Sequence, residues 1–250
     1  MKLPNLPLKL PDESLYSLAA HIRLANGLGT DRATCGVLFG KENELRVGDS
    51  TVNLDTFCYV TRNGYGSRDE VVNSTTTRPF FRHVGNHPNC MSPFVAGSYL
   101  ASHYPLAATA GLASLSTGHP YLWRWCPTCK SEDLGEHGTA YWRRSQQLPG
   151  VGVCTRHGEF LIEVHIPYER RQQHFILPDA ASILEYESKR NCSHSKRSEE
   201  MQYRLARLAE TILHDSSPPI PSSVSQTVIV DGLSVRGFVT KNGNCVFRPS

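Results

Sequence analysis

Two short turns constrain this chain more than anything else in it. Cys126-Pro127-Thr128-Cys129 is followed, after 24 intervening residues, by Cys154-Thr155-Arg156-His157-Gly158. Each turn carries two soft or borderline donors, so together they carry four. Zn2+ prefers tetrahedral thiolate and imidazole ligation, with Zn–S near ~2.3 Å. Two ligands on one tight turn also let backbone N–H groups support the sulfurs. Gly158 suits the turn that leaves the second pair, because it reaches left-handed backbone without a Cβ clash. The spacer between the pairs is then a β or helical arm. Four protein ligands fill a tetrahedron and leave no position for water, which favours a structural ion over a catalytic one. Cys126, Cys129, Cys154 and His157 are the candidate zinc ligands. Two other readings stay open: unrelated buried cysteine turns, and a redox CxxC, although no thioredoxin-like βαβ pattern surrounds Cys126 and Cys129.

Composition narrows the class. With 250 residues and 39% hydrophobic residues, the chain can fill the core of one large domain or two small ones. That excludes a mainly disordered chain and a disulfide miniprotein. The balance of 26 Lys+Arg against 23 Asp+Glu gives a net charge of only +3. Bulk charge alone therefore does not bind polyanions, while local basic faces remain available. The opening MKLPNLPLKLPDES lacks the apolar core of a secretory signal. The longest mostly apolar run, residues 105–115, is far short of the roughly 20 residues a membrane span needs. A soluble cytoplasmic protein is expected, and there eight cysteines point to metal or free thiols rather than disulfides.

The pattern along the chain predicts a mainly α protein: an N-terminal helical bundle with helix-turn-helix-like corners, then a small α+β zinc-ribbon module. Four segments are expected, at 1–118, 119–178, 179–214 and 215–250. In the first, Asp12 is placed to cap a helix carrying Leu15, Leu18, Ala19, Ile22 and Ala25, with Gly27 as its stop. Asp31 is placed to cap a second helix that Gly40 closes, and residues 53–59 form a third. Residues 67–83 read as a helix that breaks near Pro79, with Phe80 and Phe81 in the core. Residues 94–115 are Ala-rich and helical. In the second segment, residues 150–153 and 160–166 are strand-like. In the third, Met201, Leu205, Leu208 and Ile212 recur at helical spacing, opposite Arg204, Arg207 and Glu210. Residues 215–223 have linker composition.

Catalytic signatures are missing. The chain has no GxxxxGK[ST], GxSxG or HExxH, and no HxE precedes the CPTC. Glu132-Asp133 and Glu199-Glu200 read as solvated faces. Cys35, Cys58 and Cys245 read as lone core residues. Cys192 with His194 offers half of a second metal site, and Cys90 with His87 is its best remote complement.

Four runs in this region share their order with a known family. They are Arg124-Trp125-Cys126-Pro127-Thr128-Cys129, Gly138-Thr139-Ala140-Tyr141-Trp142-Arg143-Arg144, Gln147-Leu148-Pro149-Gly150-Val151 and Cys154-Thr155-Arg156-His157-Gly158. They closely resemble the TniQ/TnsD family of target-selection proteins from bacterial transposons. Pro11-Asp12-Glu13-Ser14-Leu15-Tyr16-Ser17 resembles that family's opening, and the resemblance covers roughly residues 7–178. Thr155 stands where the family often has proline. Residues 224–244 resemble the start of a longer TnsD-like extension with helix-turn-helix character, and the chain ends six residues later.

The resemblance implies a non-enzymatic bacterial adaptor. It would link target DNA, or a guide-RNA CRISPR effector complex, to a TnsC-like AAA+ transposition ATPase that recruits the transposase. It implies one structural zinc on Cys126, Cys129, Cys154 and His157, and a homodimer is a further expectation. Arg124, Trp142, Arg143, Arg144 and Arg156 around the zinc, with Lys196 and Arg197 beyond it, are the candidate DNA or partner contacts. Packing of the small module is the competing reading for the aromatics, and a solvated helix face for the second basic stretch. The alternative functions are a stand-alone zinc-containing DNA-binding regulator and, more remotely, a metalloenzyme with an open zinc position.

Overall fold

Ser14, not Asp12, opens the first helix. In the computed structural model, which describes residues 2–40, 53–84, 122–165, 174–180 and 196–218, the Ser14 side chain accepts from the Ser17 N–H at the start of α1 (Leu15–Asn26). Asp12 instead adopts φ 58°, a left-handed conformation that Asp tolerates better than most residues. Its carboxylate accepts from Arg144 and from the Ser145 N–H. Gly27 ends α1 at φ 58° and returns its N–H to the last turn, as expected of a glycine stop. Thr30 caps α2 (Asp31–Phe39), with Asp31 in the first turn rather than at the cap, and Gly40 closes it at φ 77°. Asn53 caps α3 (Leu54–Val60).

The break in residues 67–83 lies two residues before Pro79. The helix α4 (Arg68–Thr75) ends at Thr76, and α5 (Arg78–Val84) starts with Pro79 in its first turn. Proline there loses no helical hydrogen bond, because the first N–H groups of a helix have no intrahelical partner. A capping box begins α4: Glu70 N–H donates to Ser67 Oγ, and Glu70 Oε2 accepts from the Ser67 N–H at 2.7 Å.

The only sheet among the described residues is an antiparallel pair, β1 (Leu122–Trp125) and β2 (Ile162–His165). Sequence reading places β2 and misses β1. Between them lie α6 (Pro127–His137), which is the helical form of the arm, and a 3-10 turn at Ser145–Gln147. Residues 150–153 form no strand beyond a single bridge, Val153 to Phe160. The last described helix is α7 (Lys196–His214). Among the described residues no helix is long and apolar enough to cross a membrane.

One apolar core holds Leu18, Ile22, Leu38, Phe57 and Val71 from the N-terminal helices. It also contains Trp123, Trp125, Trp142 and Val164. Trp142 and Trp123 rings meet at 4.6 Å, and Tyr16 lies 5.1 Å from Trp123. A second core joins Phe80 and Phe81 of α5, as expected core residues, to Leu148, Val151, Leu161 and the α7 residues Ala206, Ala209 and Leu213. An apolar stripe is ordinarily a helix's packed face, but α7 does otherwise. Its alanines permit close approach to α5, and Gln202 and Leu205 lie against Gly152 and Gly150. Met201, Leu205 and Leu208 remain 63%, 45% and 56% exposed.

The chain divides into two compact units, Met1–Asp215 and Ser216–Ser250. The Ala-rich residues 94–115, the Cys90/His87 and Cys192/His194 candidates, Cys245 and the tail at 224–244 lie outside the described residues.

Candidate metal centre

Cys126 stands at the N-cap of α6, with Pro127 at the first helical position. One helical turn later, the Cys129 N–H points at Cys126 Sγ at 3.5 Å. The helix thus begins by presenting two sulfurs and its positive dipole end to the same point, which favours thiolates. The second pair comes from a tight turn: Cys154 N–H donates to Glu159 O, and Gly158 N–H returns to Cys154 O, both at 2.8 Å. Gly158 holds φ 69° there, the conformation anticipated for it.

The two turns meet. Sγ of Cys126, Cys129 and Cys154 and Nδ1 of His157 all lie within 4.8 Å of one another. The edges are Cys129 Sγ to Cys154 Sγ 3.7 Å, Cys126 and Cys129 Sγ to His157 Nδ1 3.4 Å each, and Cys154 Sγ to His157 Nδ1 3.7 Å. Tetrahedral zinc with Zn–S near ~2.3 Å and Zn–N near ~2.0 Å has edges of about 3.8 Å between sulfurs and about 3.5 Å from sulfur to nitrogen. The donor set is therefore already spaced for a tetrahedral ion.

Proton competition among the sulfurs points the same way. Hydrogen bonds from the Cys126 and Cys129 thiols hold the Cys154 thiol far below its ordinary value. Hydrogen bonds to Cys129 and Cys154 push Cys126 far above its own. Crowding lets one sulfur ionise and resists the others, whereas a divalent cation lets all three be thiolates.

The surroundings orient the donors. Glu132 Oε1 lies 3.1 Å from His157 Nε2, and Glu132 Oε2 accepts from Arg156 at 3.0 Å. This carboxylate–histidine pair directs Nδ1 toward the sulfurs. Gln146 Nε2 reaches Cys129 Sγ at 3.6 Å and Cys154 Sγ at 3.9 Å. The reading of Glu132-Asp133 as a solvated face is thus corrected. Glu132 positions a ligand, and Asp133 is buried against Arg143 at 2.6 Å. The available signal was helical spacing: Glu132 lies three residues after Cys129, on the same side of α6.

Four of the candidate contact residues lie inside the protein. Arg124 faces Glu163 across the β1–β2 ladder, with Nε to Oε1 at 3.3 Å, and donates to Leu148 O. The Trp142 ring is fully buried, and its Nε1 donates to Ile176 O at 2.7 Å. Arg143 pairs with Asp133, donates to Pro11 O and stacks 4.6 Å over Tyr141. Arg144 binds the Asp12 carboxylate at 2.9 Å, the carbonyls of Asn73 and Thr76 at the end of α4, and His214 Nδ1 at the end of α7. These side chains organise the fold: each is buried, and turning one of the guanidinium groups outward to a partner would leave its carboxylate uncompensated. Arg156 is the exception, half-exposed at the rim of the 154–158 turn. Lys196 and Arg197 fall in the first turn of α7, and their side chains lie outside what the structure describes. Cys35 and Cys58 are buried among apolar neighbours, as expected of core cysteines.

Comparison with known proteins follows the same residues. The TniQ family model matches residues 6–161, which take in α1 to α6 and all four metal-ligand candidates. The Tn7 transposition protein TnsD of Escherichia coli is 26% identical over 76 residues, 30% of this chain. The matched stretch covers 15% of that protein, so the chain spans only a small part of its length. With more than half of the chain matched and the two cysteine turns inside the match, the chain belongs to the TniQ family.

Proposed function

We propose that the protein is a non-catalytic target-selection adaptor in bacterial DNA transposition, with one structural Zn2+ on Cys126, Cys129, Cys154 and His157. The observation that carries this reading is the TniQ match over residues 6–161, and the TnsD likeness supports its transposition context. Zinc suits three sulfurs and one imidazole nitrogen at tetrahedral spacing, and four protein donors leave it no position for substrate. The ion would lock the start of α6 to the turn at 154–158. It would thereby hold the 142–144 strip against the N-terminal helices, through Ser14 N–H to Trp142 O and Arg144 N–H to Asp12 O.

In this reading the adaptor works in the cytoplasm. It joins target DNA or a guide-RNA effector complex to a TnsC-like AAA+ ATPase. Exposed Arg156, with Lys196 and Arg197 at the start of α7, contacts DNA or partner. The test is co-sedimentation of the full chain with a TnsC-like AAA+ ATPase of the same transposon, with ATP and duplex DNA, at two salt concentrations. Saturable pelleting that requires the ATPase is expected. A zinc-loaded chain that ignores the ATPase yet footprints a specific DNA site would replace the adaptor with a free-standing regulator.

A further inference from the structure

The apolar stripe of α7 is unaccounted for by the fold. Met201, Leu205 and Leu208 are 63%, 45% and 56% exposed, while Ala206, Ala209 and Leu213, about a quarter-turn away, do the packing. With Ile212, partly buried against the second core, they recur at i, i+4, i+7 and i+11. That is the alternation of heptad a and d positions, the narrow seam by which one helix meets another. Exposed leucines scattered singly need no explanation, but aligned neighbours on one face do.

The flanks of the seam differ. On one side the body of the protein closes it: Ala209 is buried, Gln202 lies against Gly152, and Leu205 against Gly150. The other side is open. Its described heptad g positions are Arg204 and Thr211, so the row carries a positive charge and no carboxylate. Arg204 is 72% exposed and held by Glu200 from the turn before. An exposed i, i+4 pair of this kind contributes little and exchanges readily for another carboxylate.

We propose that this face of α7 docks an amphipathic helix of a partner protein whose apolar seam is flanked by glutamate or aspartate. The seam residues enter the partner's holes, and Arg204 meets the acidic flank. This surface stands independently of the transposition reading, because it rests only on exposure, spacing and charge.

The test uses the full zinc-loaded chain and a fluorescent synthetic helix with leucine at a and d and glutamate at e and g. The glutamates repel one another and keep the probe from pairing with itself at neutral pH. Saturable anisotropy binding is expected, at least tenfold tighter than for the same helix with lysine at e and g. Leu208→Asp should weaken it at least tenfold while zinc content and circular dichroism stay unchanged. If that variant misfolds, Met201→Glu serves in its place. Arg204→Glu should invert the preference toward the lysine helix. Equal affinity for both helices, or binding indifferent to Leu208→Asp and Met201→Glu, overturns the proposal. So does self-association of the chain, or binding to duplex DNA, that accounts for the face by vanishing in Leu208→Asp while the glutamate helix fails to bind.

Discussion

The candidate metal centre and the buried arginine cluster sit side by side in this protein and hold together by different means. At the candidate metal centre each pair of donors lies within one turn of chain, at residues 126–129 and 154–157. The arginine cluster also joins partners far apart in sequence: Arg144 reaches Asp12, 132 residues earlier, and His214, 70 residues later. Arg143 reaches Pro11 over a similar span. The first arrangement is local chemistry repeated twice. The second exists only once the chain is folded. Runs of arginine and tryptophan can therefore look like a contact surface in sequence and still be the joint between the N-terminal helices and the two Cys/His turns.

The comparison breaks most visibly if the metal is removed. Cys126→Ser should reduce zinc from one equivalent to near zero by elemental analysis. It should also abolish the near-ultraviolet dichroism of Trp123, Trp125 and Trp142. Structural zinc contributes apparent binding free energies of about 10–16 kcal/mol, which a small module cannot replace. Survival of the tryptophan signal in the metal-free variant would show that the second arrangement stands without the first.

Arg144→Ala tests the converse. It leaves the Asp12 carboxylate and the Asn73 and Thr76 carbonyls without their donor, at a cost of about 3–5 kcal/mol in denaturant unfolding. If Arg144 were a contact residue, stability would hold and only partner binding would fall.

Glu132→Gln refines the centre itself. Losing the carboxylate behind His157 should weaken metal retention roughly 10–100-fold in chelator competition. The fold should survive as long as zinc is supplied.

Glu70, exposed at the start of α4, sets the smallest effect. The Ser67 N–H and hydroxyl hold its carboxyl below the usual carboxylate value. A depressed folded-state value means that its contribution is present above the unfolded value and is lost as pH falls through the folded one. Glu70→Gln should flatten that acid limb slightly in thermal melts and leave neutral-pH zinc content untouched.

How much could be read in advance follows from the same contrast. The glycine stops at Gly27 and Gly40 and the left-handed turn at Gly158 were legible, because each depends on neighbours a few residues away, and Phe80 and Phe81 were legible as core from their size and apolarity. The caps were legible only to within one or two residues: Ser14 and Thr30 displaced Asp12 and Asp31. Asp12 was drawn off because its carboxylate takes the Arg144 guanidinium and the Ser145 N–H. Strand β1 escaped notice because Leu-Trp-Arg-Trp shows no alternation of apolar and polar burial. Arg124 is as buried as its tryptophans, through its cross-strand partner Glu163.

By itself, then, the amino-acid order determined a mainly helical chain with two Cys/His turns that could hold a metal ion and a TniQ-like opening. Tertiary structure alone decided which arginines face inward, which side of α7 packs and which carboxylate orients His157. Local spacing settles a turn, a cap or a pair of ligands. The fate of a charge or an apolar stripe depends on what arrives from a hundred residues away to meet it.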